Sequence, residues 1–270
     1  MIINTVKKLL YVGFIVACIT IVEFGAIASP DPKEVKFIEH SNCLYGCPLG
    51  ADPDNFLVDH EIFLLSSNRE TKFADWAAYL VKAENLSGDP RPRNWASDPL
   101  IPDKYTLKPS DYQGAYAAFQ YDRGYQVPLA NFRNHPDWSR INYISNITPQ
   151  RASLNRGAFA ALSKKERILA GQNDVVYIIT GTVYVDDMPV LPNAHLPHRV
   201  PSGYWKIIAV KDENKRIKMA SFLFSQTALR TNDYCKYSAS LDEIEKLTGF
   251  EFFSDYPYPE YLSLLSELGC

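Results

Sequence analysis

The sequence predicts a single α+β domain built on a multi-stranded, mostly antiparallel sheet. Three observations lead there. Residues 175–185, V-V-Y-I-I-T-G-T-V-Y-V, are almost entirely β-branched or aromatic. Tyr204–Val210 and Met219–Phe224 flank a charged turn at 211–218, the pattern of a hairpin. The 270 residues contain no internal repeat, low-complexity tract or clean linker that would divide them.

At the N-terminus Lys7 and Lys8 precede an apolar run from Leu9 to Val22, and Ala26-Ile27-Ala28 follows. A charged start, an apolar centre and an A-x-A site read as a signal peptide over residues 1–28. The run is shorter than the ~20 residues a membrane-spanning helix needs. The expected product is a secreted or periplasmic domain, residues 29–270, with no membrane association after cleavage. Acylation of Cys18 after Ile15-Val16-Ala17 is the alternative, weakened by the apolar residues that continue beyond it. Four cysteines then remain, Cys43, Cys47, Cys235 and Cys270, and an even number in an exported chain reads as two disulfides. Cys43 and Cys47 can close a small loop, and Cys235–Cys270 would staple the tail to the body. A zinc site is disfavoured, because no His stands at ligand spacing beside the second pair.

Along the domain, Phe56–Leu65 reads as a strand, residues 66–71 as a turn, and Phe73–Val81 as a returning strand or a helix. Prolines exclude helix over most of residues 85–110, an ordered surface loop that carries Arg91, Arg93 and Trp95. Stacking on the aromatic ring is the ordinary role for such arginines, and bidentate contact with a phosphate is the other. Ser240-Leu241-Asp242-Glu243 has capping-box form and opens a helix that stops at Gly249. A short helix is expected over Leu262–Leu268.

The stretch from Tyr121 to Arg167 carries the chemistry. It begins strand-like, is broken by Gly124 and Pro128, and becomes helical around Ala158, Ala161 and Leu162. Asp122, Arg123, Asn146, Asn155, Arg156 and Arg167 are all groups able to meet a phosphate or a divalent cation. The stretch holds eight Lys and Arg against three Asp and Glu, in a chain whose net charge is −3. The chain as a whole is therefore not a basic nucleic-acid coat; contact with a polyanion would run through one focused patch. A solvated helix face gives the same charge pattern.

The segments D-R-G-Y-Q-V-P-L-A, N-Y-I-S-N-I-T-P-Q and L-N-R-G-A-F closely resemble the DNA/RNA non-specific endonucleases of Serratia-nuclease type, with their ββα-metal active site. The resemblance extends from C-L-Y-G-C-P at Cys43 through T-K-F-A-D-W and R-N-W to D-E-I-E-K-L-T-G and Cys270, essentially the mature chain. It implies a central antiparallel sheet flanked by helices, makes Phe73–Val81 a strand, and agrees with the two disulfides. It also implies Asn155 as ligand of magnesium, or manganese, and Arg93 as a phosphate contact. Arg123, Asp122, Asn146 and Arg167 take the family's motif positions, with Arg156 beside the ligand as a further substrate contact. DNA and RNA are the implied partners, with a homodimer as a second association.

Two positions depart from the family pattern. Tyr125 stands where the family has its general-base His, and Ser163 where it has a Glu on the metal helix. An unperturbed Tyr is ionised to about one part in a thousand at pH 7, so it is a poor base unless Arg123 and a cation lower its pKa. His60 and His135 read as a packed and a solvent-facing histidine rather than as substitutes. Two functions are therefore expected from the sequence. One is an exported magnesium-dependent endonuclease without base preference; the other is an impaired pseudo-nuclease that binds nucleic acid or a protein partner.

Overall fold

The computed structural model describes residues 38–257 and 260–270. The expected signal peptide, the Cys18 alternative and the start of the mature domain at residue 29 lie outside the described residues. In chain order the elements are β1 (Phe56–Asp59), β2 (Phe63–Ser67), β3 (Ala74–Val81), α1 (Ala115–Phe119), β4 (Tyr121–Tyr125), β5 (Ile147–Arg151), α2 (Ala152–Asn155), α3 (Ala158–Ala170), β6 (Val176–Val183), β7 (Gly203–Lys211), β8 (Ile217–Ser225), β9 (Ser238–Ala239), α4 (Leu241–Thr248), β10 (Leu262–Ser263) and α5 (Leu265–Leu268).

The main sheet runs in the order β1-β2-β3-β6-β7-β8-β10, with β9 also paired to β8. Every pairing is antiparallel except β10 with β8. The β-branched run at 175–185 forms its centre because both of its faces are covered. Side chains alternate across a strand, and β7 divides accordingly: Tyr204, Ile208 and Val210 enter the core beneath α3, while Trp205, Ile207 and Ala209 enter a second core with Ile244 of α4 and the Cys43–Cys47 loop. The domain is thus α+β, with helices on both faces of a mostly antiparallel sheet. Among the described residues no helix is long and apolar enough to cross a membrane.

Apart from the main sheet, β4 and β5 form a two-stranded antiparallel ribbon, pairing Tyr121 with Arg151 through to Tyr125 with Ile147. Pro149 is tolerated in β5 because both strands of a two-stranded ribbon are edges. Its carbonyl accepts from Tyr204 Oη at 2.9 Å and Gln226 Nε2 at 2.7 Å, which seats the ribbon on the main sheet. Gly124 has a packing reason: a Cβ there would stand 2.6 Å from Cβ of Gln150 on the paired strand.

Both disulfides form as paired in the sequence reading, Cys43–Cys47 and Cys235–Cys270. Helix α4 starts where Ser240 Oγ accepts Glu243 N–H at 3.1 Å and ends at Gly249, φ +74°. The segment Phe73–Val81 is strand from Ala74 onward, as the resemblance implied. Two expectations need correction. Phe56–Leu65 is not one strand but two, turning at His60–Ile62, where Glu61 takes φ +66° and its N–H is held by Asp59 Oδ1 at 2.7 Å. The polar Asp-His-Glu insertion ends one period and starts another. Leu262–Leu268 is only partly helical, since Leu262 and Ser263 pair with Lys218 and Met219 before α5 begins.

Candidate active site

Helix α3 has two faces with different occupants. Phe159, Leu162, Glu166 and Leu169, spaced for one face, turn into the core. Ala160, Ser163 and Arg167 share the adjoining face and line a cleft of ≈ 1070 Å³. The ribbon supplies Asp122, Arg123 and Tyr125 to the same cleft, α2 supplies Asn155 followed by Arg156, and the proline-rich loop supplies Arg91, Arg93 and Trp95. With Arg133 the lining holds six arginines and a single carboxylate, Asp122. Four of the eight basic residues of the Tyr121–Arg167 stretch, Arg123, Arg133, Arg156 and Arg167, therefore meet Arg91 and Arg93 of the loop at one concave site on an acidic protein.

Asp122 organises the ribbon end of the cleft. Its Oδ2 accepts from Asn155 Nδ2 at 2.9 Å and from Arg156 Nε at 2.8 Å, and its Oδ1 accepts from Arg156 Nη2 at 2.6 Å. This bidentate pair is strong and directional. With Nδ2 committed to Asp122, the amide oxygen of Asn155 is the acceptor that remains for another ligand. Asp122, expected to contact substrate, lines the cleft, and its oxygens hold Asn155 and Arg156 in place.

Arg123 lies 4.5 Å over the Trp95 ring and 5.4 Å over Tyr112, and Nη2 donates to the Pro109 carbonyl at 3.1 Å. Trp95 is thus stacked by an arginine of the ribbon rather than by its loop neighbours, while Arg91 stacks 5.2 Å over Trp138. Arg93 is exposed on the rim. Arg167 donates to Asn131 Oδ1 at 3.0 Å and to the Ser163 carbonyl at 2.9 Å. Burial lowers its pKa from the ordinary arginine value, Glu166 opposes this, and Arg133 adds to the lowering.

Tyr125 lines the cleft, and its hydroxyl donates to Asn142 Oδ1 at 2.8 Å. Burial pushes its pKa up to about 12; Arg93, the Trp95 indole and Arg123 pull the other way and lose. Without a cation, Arg123 does not bring this phenol toward neutrality: the desolvation of the ring outweighs the nearby guanidinium groups. Asn146, expected among the catalytic residues, is fully buried and does not line the cleft. Its amide bonds Val127 N–H at 2.8 Å, the Val127 carbonyl at 3.0 Å and the Ile141 carbonyl at 2.9 Å, so it shapes the chain that follows Tyr125.

Ser163 also has a partner that the sequence did not suggest. Lys206 Nζ, fully buried on the α3 side of β7, donates to Ser163 Oγ at 3.1 Å and to Glu166 Oε1 at 2.5 Å. Glu166 Oε2 accepts from Tyr79 Oη at 3.0 Å and Asn131 Nδ2 at 2.9 Å. Glu166 is one turn from Ser163, yet it faces the core and leaves no carboxylate in the cleft at the position where the family has one. The sequence reading did not single out Arg133, Asn142 and Tyr116, although all three stand in or near the motifs: Asn142 opens N-Y-I-S-N-I-T-P-Q, Arg133 follows D-R-G-Y-Q-V-P-L-A, and Tyr116 lies a short way before it.

The chain matches the DNA/RNA non-specific endonuclease family over residues 41–258. It belongs to that family. Among members, a nuclease of Serratia marcescens is 41% identical over 249 residues, covering 91% of each chain. A nuclease of Nostoc sp. is 28% identical over 78% of this chain and 80% of its own. Human mitochondrial endonuclease G is 22% identical over 73% of this chain and 69% of its own. Among solved structures, that of an EndoG/EndoGI complex superposes with a TM-score of 0.70 at 22% identity, covering 81% of this chain and 92% of that chain. At that identity the likeness speaks to the fold alone.

Proposed function

We propose that the protein is an exported, divalent-cation-dependent endonuclease that hydrolyses phosphodiester bonds of DNA and RNA without sequence preference. One observation carries this reading: six arginines surround Asn155 in one cleft. Arginine recognises phosphate through a planar fork, and contacts to the backbone carry no sequence information. Two disulfides support an oxidising compartment, secreted or periplasmic.

The donor set fits a hard cation held by few protein ligands. Among the described residues no group of three or more His, Cys, Asp or Glu is placed to hold an ion. Asn155, with its amide nitrogen fixed by Asp122, would be the one protein ligand, and water and phosphate oxygens would complete the shell, the manner of binding that suits magnesium or manganese. When bound, the cation supplies charge neutralisation at the phosphate and at the departing oxygen. Arg93, Arg123 and Arg167 sit where they can neutralise the phosphoryl oxygens as charge builds. Arg156, tied to Asp122, orients rather than clamps. Attack requires a water to lose its proton, and Tyr125 is the group at the motif position.

A second reading is favoured by the state of Tyr125. A phenol at about 12 is protonated at neutral pH and donates to Asn142. The cleft would then grip a sugar–phosphate backbone and cut it slowly or not at all, leaving a pseudo-nuclease that binds nucleic acid or a protein partner. Digestion of plasmid and RNA with magnesium from pH 7 to 10 separates the two. Cleavage that rises with pH supports the enzyme; binding without cleavage at any pH, cured by Tyr125→His, supports the pseudo-nuclease.

A further inference from the structure

Tyr116 stands on α1 immediately ahead of the ribbon, lines the cleft, and is 47% exposed. The guanidinium of Arg156 lies 5.1 Å over its ring. That guanidinium is itself fixed by two bonds to Asp122, at 2.6 and 2.8 Å, and Asp122 also holds Asn155. An unbroken line of contacts therefore runs from the cation-ligand candidate to an exposed aromatic ring at the cleft edge. Single exposed apolar side chains are ordinary on a protein surface; what sets Tyr116 apart is that its ring lines the arginine-rich cleft. The ring is stiffened rather than loose, because an arginine held by a carboxylate backs it, and the guanidinium adds cation–π character.

We propose that Tyr116, backed by Arg156, is a nucleobase-stacking subsite that gives the cleft a preference for unpaired nucleotides. Backbone contacts by the arginines treat single strands and duplexes alike. A ring beside them can accept a base only when that base is free of its own stack, and every base presents a π-face, so the preference is for strandedness and not for sequence. Only unpaired or extruded bases meet the condition. The inference rests on the endonuclease reading and refines its substrate.

The test measures fluorescence anisotropy of a short labelled oligonucleotide, single-stranded or annealed to its complement, in EDTA so that nothing is cut. Wild type, Tyr116→Ala, Tyr116→Leu and Tyr116→Trp are compared, each first checked by thermal melting. The expected result is a fall of about tenfold in the ratio of single-strand to duplex affinity for Tyr116→Ala and Tyr116→Leu, as the loss of one base stack would give. Tyr116→Trp should keep or raise the ratio. An unchanged ratio in Tyr116→Ala, or a Tyr116→Leu variant equal to wild type, overturns the subsite and leaves the endonuclease reading standing. A folded wild type that neither binds nor cuts either form overturns both.

Discussion

The Tyr125 hydroxyl donates to the side-chain oxygen of Asn142 at 2.8 Å, and Asn142 donates in turn to the Pro92 carbonyl at 3.2 Å. The residue at the general-base position thus helps hold the loop that carries Arg93. If its phenolate is the base, the rate must follow the ionised fraction. With a pKa of about 12, activity should climb about tenfold for each pH unit between roughly pH 7 and 10. Tyr125→His should raise the rate at neutral pH and level off above the ordinary imidazole pKa of about 6.5. Initial rates on plasmid DNA check both; a wild-type rate that is flat with pH would show that Tyr125 is not the base.

Asp122 has its effect through Asn155. Asp122→Ala should leave the Asn155 amide free to rotate and weaken the apparent affinity for magnesium about 10–100-fold. A magnesium titration of cleavage rate, or calorimetry with the metal alone, reads this directly. An unchanged titration would mean that Asn155 is oriented by something else.

Lys206 and Glu166 are both fully buried, and burial drives the lysine pKa down while the carboxylate pulls it back up. Lys206→Met strands a carboxylate in the core and should cost about 3–5 kcal/mol. Adding Glu166→Gln removes the stranded charge and should recover most of that loss. Urea melts of the two variants decide it: a double variant no better than the single one would show that the charge pair is not the source of the cost.

His60 and Asp98 form a second buried pair at 2.8 Å, joined by Ser145. Burial works to raise the Asp98 pKa, but His60, the Ser145 hydroxyl and the Leu100 N–H outweigh it and hold the carboxyl below its ordinary value. A lowered native pKa means that the ionised Asp98 carboxylate stabilises the fold above the unfolded value of about 3.9 and that this contribution fades as pH falls through the lower native one. Asp98→Asn should therefore be less stable at pH 7, and its stability should change less than that of wild type as pH falls below about 4. Denaturant melts across that range test the sign.

The Cys235–Cys270 bridge closes 35 residues of sequence separation against 4 for Cys43–Cys47. Loop-closure entropy assigns the longer bridge about 3–4 kcal/mol and the shorter one about 2. Melting of Cys235→Ser/Cys270→Ser and Cys43→Ser/Cys47→Ser should rank them in that order.

Much of the fold was legible because it rests on local chemistry. The β6 run, the β7–β8 hairpin and the Ser240–Gly249 helix each carry their signal within a few consecutive residues. The β1–β2 break was not legible, since Asp-His-Glu reads as the polar phase of one strand until the turn at Glu61 is seen. In the site, the motif letters placed Asn155, Arg123 and Arg167 in one cleft. They do not show that the Asn146 amide is spent on backbone groups, or that the Asp122 carboxylate holds Asn155 and Arg156. Lys206 beneath Ser163 could not be read at all, because the partners are 43 residues apart and meet only when β7 lies under α3. The burial of Tyr125 was not legible for a related reason: sequence reveals nearby charge more readily than desolvation.

The buried ammonium beneath α3 has one further effect. Oily contacts would let a helix roll or slip by a residue at little cost, but an ion sealed from water meets its counter-ion in a single setting. The Lys206 contact thus acts as an indexing pin for the helix, fixing the azimuth of Arg167 and the height of Ser163 above the floor of the cleft.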